Sequence, residues 1–262
     1  PEITLQEVNR LAGELITERN RVVAVDAPEK KGVNIPKVSD LREVFDRAGR
    51  KEISAYQDTV ATGPLVEREP QPSPVIDEKT FSEIGVTEWR LANGVRVALK
   101  PTNFKNDQVL FSAFSPGGSS LAADSLYIPA VTATSIVEAS GAGRFTRTEL
   151  IKKLAGKIVD TSPWISELQE GFSGSAAPAD METMFQLIYL FFTHPRADSA
   201  AYQSILARMK GAIENRSARP ETAFSDTISA AMGRYAYRAL PWTLERLEEM
   251  DLKESFAFYR DR

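Results

Sequence analysis

The dipeptide Asn93-Gly94 lies between two short segments of alternating polarity, and this arrangement constrains the fold more than any other feature of the chain. The flanking segments are Glu88–Leu91 and Val95–Leu99. Asn-Gly is the pair that best tolerates the positive φ values of a type I′ turn, and a polarity period of two is typical of strands with one buried face. The sequence therefore predicts an antiparallel β-hairpin.

Beyond the hairpin, strand patterns come first and helix patterns follow. Further strands are predicted at 109–114, near 157–163 and at 170–175. Helices are predicted at 125–139, 146–154, from Asp180 onwards, and at 199–216, 221–232, 243–249 and 251–262. This order predicts an α+β fold in which helices pack on one face of a mostly antiparallel sheet.

The first sixty residues show a shorter pattern of the same kind. A capping box of Thr4 and Glu7 opens an amphipathic helix, and Ser39 is a candidate N-cap for a second helix. Short apolar runs at 22–25 and 53–56 predict strands. Because four short elements are too few for an independent core, residues 1–61 are interpreted as the C-terminal end of a preceding domain.

Four prolines lie between this part and the hairpin, at positions 64, 70, 72 and 74. Proline fixes φ and donates no backbone hydrogen bond, so residues 62–82 are predicted to be an extended linker. The remaining residues, 83–262, then form one domain. The chain starts at Pro1 and stops on a predicted helix, which favours an internal piece of a longer polypeptide.

Composition excludes several classes of partner and site. With 32 basic and 36 acidic residues the net charge is −4, which offers no electrostatic attraction to nucleic acid or an anionic membrane. No apolar run approaches the ~20 residues of a spanning helix. The absence of cysteine rules out disulfides and thiolate metal sites. A soluble chain with neither nucleic-acid nor membrane partners is expected.

Several of these segments together resemble one family. The order of these segments resembles the start of a domain of the pitrilysin/insulinase zinc metallopeptidases. The resemblance rests on residues 87–97, on the turn Gly117–Ser120 and the helix after it, and on Phe191–Arg196 followed by a long helix that ends at Arg219-Pro220. The likeness covers residues 83–262. It implies a fold like that of LuxS and the mitochondrial processing peptidases, incomplete at both ends of this chain.

Active members of that family carry His-x-x-Glu-His on the helix after the Gly-Ser turn, with a third glutamate ligand on a later helix. At the two histidine positions this chain has Val131 and Ser135, at the base position Thr134, and at the third ligand Ala212. None of these side chains is a good zinc ligand. The resemblance therefore implies no catalytic residue and no metal or cofactor in this chain, with zinc expected in the catalytic half of the parent polypeptide.

The resemblance implies a non-catalytic part of a zinc endopeptidase that helps to enclose its substrate. Its partners would be the catalytic half of the same polypeptide and a peptide substrate, in an exported or periplasmic setting. The alternative is an inactive scaffold or assembly subunit related to the processing peptidases. A zinc motif in the parent's preceding half would decide between the two.

Several other residues could have a catalytic or binding role, but a structural role explains each of them more simply. His194 is the sole histidine and cannot form a histidine-rich site, so a structural or surface role is expected. Glu138, Glu149 and Glu214 could form an acid/base set, but capping explains Glu149 and a solvated helix face explains Glu214. Gly117–Ser120 lacks the spacing of phosphate-binding loops or of a serine nucleophile, and is interpreted as a tight turn.

Three further features have both a structural and a functional reading. The aromatic cluster Phe185, Tyr189, Phe191 and Phe192 is interpreted as core, with contact to peptide as the alternative. Residues 171–175 could offer a strand edge to an extended peptide. The patch at 234–238, with Arg234, Tyr235, Tyr237 and Arg238, could meet a partner domain or anchor a loop.

Overall fold

The structure is a computed structural model that forms two compact units, Pro1–Asp58 and Thr59–Arg262. It describes residues 3–15, 20, 22–26, 32, 34–52, 54, 62–216 and 219–262. None of the helices in these ranges has the length and apolar character needed to cross a membrane.

The described residues of the first unit form two amphipathic helices, α1 (Leu5–Leu15) and α2 (Val38–Gly49). The predicted capping box is present at α1, where the Thr4 amide donates to Glu7 Oε2 at 2.9 Å. Helix α2 begins after Lys37 rather than after Ser39, because the Lys37 amide donates to the Asp40 carboxylate at 2.9 Å.

The strand predicted at 22–25 is wrong, since these residues are irregular and exposed. A short apolar run forms a strand only where another strand supplies hydrogen-bond partners, and the described part of this unit contains none. Most of the strand predicted at 53–56 lies outside the described residues.

The second unit starts with a three-stranded antiparallel sheet. It consists of β1 (Val75–Phe81), β2 (Val86–Leu91) and β3 (Arg96–Leu99) in the order β1-β2-β3. The hairpin at Asn93-Gly94 is confirmed, but its type I′ turn is wrong: Gly94 has φ 89° whereas Asn93 does not have positive φ. The turn closes instead from the Gly94 amide to the Leu91 carbonyl at 2.9 Å. Strand β1 lies within 62–82, so the predicted linker is corrected from Val75 onwards: after the last proline every amide can donate, and β1 pairs with β2.

A second antiparallel sheet supports the helices. Its strands are β4 (Val109–Pro116), β5 (Val159–Ile165) and β6 (Gln169–Ala176), in the order β4-β6-β5. Phe172 of β6 lies between Ala113 of β4 and Pro163 of β5. Strand β6 is therefore the central strand.

The helices that the structure describes between 62 and 262 follow the predicted positions closely. They are α3 (Tyr127–Ser140), α4 (Arg147–Lys153), α5 (Met181–Thr193), α6 (Ser199–Glu214), α7 (Pro220–Met232), α8 (Leu244–Glu248) and α9 (Leu252–Asp261). Helices α3 and α5 pack on one face of the second sheet, where α3 contacts β5 and α5 contacts both β5 and β6. On the other face Leu110 and Phe114 are 76% and 69% exposed. The predicted α+β class is confirmed.

The core of the second unit consists of two clusters. The larger one lies between the sheet and helices α3, α5 and α9, with Phe145, Phe172, Met184 and Phe191 buried in it. The smaller one joins α3 to α6 and α8, with Ile128 and Ile136 against Tyr202. Helix α3 therefore contributes to both clusters and is held on several sides.

Candidate functional site

The three positions of the family's metal motif lie on the least buried face of α3. Val131, Thr134 and Ser135 are spaced i, i+3 and i+4, so they share one side of the helix. Val131 and Thr134 are half-buried and Ser135 is exposed, whereas the neighbouring Ile136 and Val137 are fully buried. This side of α3 is therefore open to a ligand or partner, and the core occupies the other sides.

The fourth position, Ala212, lies exposed near the end of α6. Helices α3 and α6 are in direct contact through the smaller core cluster, in which Tyr202 and Ile205 pack against Ile128 and Ile136. The structure thus brings into contact the two helices on which the resemblance places the family's zinc site.

The open side of α3 has little capacity to bind a cation. Besides Val131, Thr134 and Ser135 it carries Glu138, half-buried at i+7. A single carboxylate with two hydroxyls lacks the nitrogen ligands that zinc sites of this kind use. Within the described ranges no group of three or more His, Cys, Asp or Glu side chains is placed to hold a metal ion. Loss of zinc binding stays a prediction.

The Gly117–Ser120 turn leads from β4 towards α3, and its amides are already engaged. Gly117 donates to the carbonyl of Leu168 at 2.9 Å, while the Ser119 and Ser120 amides each donate at 2.8 Å to the loop between β5 and β6. The Gly118 amide donates to the carboxylate of Glu170. The amides are thus not free to form a phosphate cradle, and the 3-10 turn at Ser119–Leu121 confirms the predicted tight turn.

Glu170 is a structural residue that the sequence reasoning missed. Its carboxylate is buried at 9% exposure and lies directly against Gly117 and Gly118. A signal was available: in a strand with period two, Glu170 shares the inward face with Phe172 and Ala176, and an acidic side chain among buried apolar ones needs a partner.

Arg238 anchors the loop that precedes α3. Its guanidinium donates to Asp124 Oδ1 at 2.8 Å, to the Ser119 carbonyl at 3.1 Å and to the Ala122 carbonyl at 2.6 Å. It also lies 5.1 Å from the centre of the Tyr127 ring. For Arg238 the loop-anchor reading of the 234–238 patch is confirmed.

The rest of that patch divides into a half-buried and an exposed part. Tyr237 donates to Glu249, and its ring lies 4.6 Å from the guanidinium of Arg246, which is buried. Burial raises the pKa of Tyr237, and the hydrogen bond to Glu249 raises it further. Arg234 and Tyr235 lie in the left-handed region, at φ 52° and 55°, and Tyr235 is exposed.

Helix α9 holds the buried side of α3. Thr132 Oγ1 lies 3.4 Å from the hydroxyl of Ser255, which is fully buried. The Tyr259 hydroxyl donates to the carbonyl of Phe191 at 3.3 Å. Burial raises the pKa of Tyr259, and the charge of Glu138 raises it further. The carboxylate on the open side of α3 therefore acts electrostatically on this buried hydroxyl.

The proposed acid/base glutamates are not gathered in one place. Glu149 accepts hydrogen bonds from the Thr146 amide and hydroxyl at 2.8 Å, which lower its pKa and confirm the capping box. Glu214 is exposed at the end of α6. His194 is exposed, and its Nδ1 lies 2.7 Å from Thr193 Oγ1.

The packing corrects the strand-edge reading of residues 171–175 and, for Phe185 and Phe192, the interpretation of the aromatic cluster as core. Residues 171–175 cannot offer a free edge to a peptide, because β6 pairs on both sides and leaves β4 and β5 as the edges. In the aromatic cluster Phe191 is core, but Phe185 and Phe192 are 47% and 62% exposed. Phe185 packs edge-on against Phe111 at 5.4 Å.

One curated relative covers nearly the whole chain. The "zinc protease PQQL-like" protein of Arabidopsis thaliana is 25% identical over 256 residues, which is 96% of this chain and 24% of the relative. The chain is thus similar in sequence to a protein named as a zinc protease. This confirms the resemblance read from residues 87–120 and 191–220. No family model matches the chain.

Solved structures of proteases share the fold. The periplasmic protease PqqL of Escherichia coli superimposes with a TM-score of 0.64 at 21% identity, over 86% of this chain and 25% of PqqL. The ferredoxin protease FusC, as the E83A mutant bound to Arabidopsis ferredoxin, gives a TM-score of 0.63 at 18% identity, over 87% of this chain and 25% of FusC. The chain thus spans about a quarter of the length of the Arabidopsis relative, of PqqL and of FusC.

Proposed function

We propose that this chain is a non-catalytic part of an exported zinc endopeptidase and helps to enclose peptide substrates opposite the catalytic half. The relationship to a zinc protease and the shared fold support the peptidase context. The periplasmic location of PqqL supports an exported parent protein. Confinement would raise the local concentration of a peptide at a distant metal without chemistry in this chain.

A single observation carries the non-catalytic part of the proposal. The helices α3 and α6 are present and in contact, yet the four ligand and base positions hold Val131, Thr134, Ser135 and Ala212. The presence of both helices without the residues of the family's site supports a part of the peptidase that does no metal chemistry of its own. A catalytic zinc ion needs three protein ligands and a base for its bound water, and the open side of α3 offers one carboxylate, that of Glu138.

The test compares the metal content of the chain with that of a variant that restores the motif. The variant carries Val131→His, Thr134→Gln, Ser135→His and Ala212→Glu. It supplies three ligands without the catalytic base. We expect no stoichiometric zinc in the natural chain and about one zinc per restored chain by elemental analysis. A control with Ser135→Gln in place of Ser135→His has only two ligands and should lose the metal.

The role in the parent protein needs a second measurement. Cleavage of an unstructured fluorogenic peptide by the full-length parent should be abolished by a chelator and should be unchanged by Ser135→Ala. Tight zinc in the natural chain, or loss of turnover on Ser135→Ala, would contradict the proposal. A parent protein that cleaves no peptide and holds no zinc would instead favour the scaffold role.

A further inference from the structure

Residues 62–67, the first part of the predicted linker, lie against the core of the second unit. Leu65 and Val66 are half-buried and pack on the larger core cluster, which contains the fully buried Phe145. We call residues 62–67 the strap. Two consecutive apolar side chains after Pro64 explain why a stretch with the composition of a linker docks on the domain.

Arg144 holds the strap through several groups at once. Its Nη2 donates to the carbonyls of Thr62 at 2.9 Å and Pro64 at 3.4 Å, and its Nη1 donates to Glu67 Oε1 at 3.0 Å. Gly63 has φ +92°, and a Cβ at this position would lie 2.5 Å from Arg144 Nη2. A side chain at position 63 would therefore displace the guanidinium from the strap.

A second cation supports the same contact. Lys153 of α4 donates to the carbonyl of Gly63 and lies 5.3 Å from the centre of the Phe145 ring. The Arg144 guanidinium lies 5.0 Å from the same ring. Two cations at the Phe145 ring thus bind backbone carbonyls of the strap.

We propose that the strap is a separately opening element that Arg144 keeps docked, so that it can leave the domain while the core stays folded. Its polar contacts lie at the surface, since the Arg144 and Glu67 side chains are 46% and 75% exposed. Exposed ion pairs are weak. Segments held by few buried apolar contacts open at lower free energy than the core. The strap has two half-buried apolar side chains, and the core has many fully buried ones.

Site-directed labelling can measure the opening, because the chain contains no cysteine. Val66→Cys places a thiol of similar size in the docked strap. Leu110→Cys, at a position 76% exposed, gives the rate of a free thiol, and Val137→Cys, in the fully buried part of α3, reports global unfolding. Each variant is made in the 262-residue chain, and the rate at which its thiol reacts with a maleimide is followed.

We expect the strap thiol of Val66→Cys to react at least about tenfold more slowly than the free thiol of Leu110→Cys. Adding Arg144→Gln should speed the strap thiol about tenfold and leave the core thiol of Val137→Cys unchanged. Arg147→Gln, at an exposed arginine on the neighbouring helix, should leave all three rates unchanged.

The proposal fails if the strap thiol reacts as fast as the free thiol, or if Arg144→Gln does not change the rate of the strap thiol. It also fails if Arg144→Gln speeds the core thiol equally, because the strap would then open only when the whole unit unfolds.

If Arg144→Gln does not fold, a second variant tests the role of Arg144 in holding the strap. Gly63→Ala displaces the guanidinium and should also speed the strap thiol. Gly94→Ala imposes a similar backbone strain at φ +89° with no atom within 4 Å of the new Cβ, and should leave the strap thiol unchanged. Equal rates of the strap thiol in the two variants would overturn the role of Arg144.

Discussion

Gly118 shows how a single residue positions the segment that leads into α3. It has φ +81°, and a Cβ there would lie 2.5 Å from the carbonyl oxygen of Ser166 and 2.6 Å from that of Glu167. Both neighbours are backbone atoms of the β5-β6 loop and cannot rotate away. The turn can therefore approach the loop only with glycine at this position.

We expect Gly118→Ala to lower the free energy of unfolding by about 3 kcal/mol or more, from backbone strain together with the clash. Gly85→Ala is the matched control, since Gly85 also has positive φ, +62°, but no atom within 4 Å of the added Cβ. Gly85→Ala should lower the free energy of unfolding by only about 1 kcal/mol. Urea unfolding measures both, and an equal loss in the two variants would contradict a close approach at Gly118.

At the scale of elements, the loop between β4 and α3 depends on a side chain from far along the chain. Arg238 is 114 residues from Asp124 and binds both its carboxylate and two loop carbonyls. A planar guanidinium spreads five donors over a rigid fork and so reaches acceptors that are apart from one another, whereas the three donors of a lysine lie on a single nitrogen. The start of α3 is thus linked to the segment before α8.

Arg238→Met removes these hydrogen bonds and keeps most of the aliphatic side chain. We expect a loss of about 2 kcal/mol in the free energy of unfolding, because carbonyls of a partly buried loop lose a charged donor. Arg208→Met should change stability by less than about 0.5 kcal/mol, since Arg208 is exposed on α6. Similar unfolding midpoints for Arg238→Met and Arg208→Met would show that Arg238 does not anchor the loop before α3.

At the scale of the whole second unit, α9 joins the helices that cover the sheet. It packs along α3, and its Tyr259 donates to the carbonyl of Phe191 in α5. Burial keeps the pKa of Tyr259 above its ordinary value of 10.0. The folded state therefore retains a proton that the unfolded chain releases at alkaline pH.

This linkage predicts how stability depends on pH. Below pH 10 both states hold the proton, and the contribution of Tyr259 is fully present. As pH rises above about 10 the unfolded state loses the proton first, so the free energy of unfolding falls by up to about 1.4 kcal/mol per pH unit. Tyr259→Phe should flatten the decline measured by urea unfolding between about pH 9 and 11. Tyr235→Phe, at an exposed tyrosine, is the control and should not change this decline of the free energy of unfolding with pH. An unchanged decline in Tyr259→Phe would refute the linkage.

Elements that depend on interactions between residues close together in the chain could be predicted from the sequence. The Asn93-Gly94 hairpin, the Thr146–Glu149 capping box and the N-cap of α9 at Asp251 depend on φ preferences and on hydrogen bonds that span three or four residues. Every helix predicted in the second unit is present for the same reason. The resemblance to the zinc peptidases rests on the order of these elements.

Only the tertiary structure decided which distant groups meet. The sequence did not indicate that Glu170 would receive the amide of Gly118, 52 residues away, or that Arg144 would hold the strap about eighty residues earlier in the chain. It also left open that β6 is central, so that 171–175 has no free edge. Local propensity acts over a few residues, whereas these contacts form only when folding brings separate elements together, and a pattern along the chain does not encode which partner fills each position.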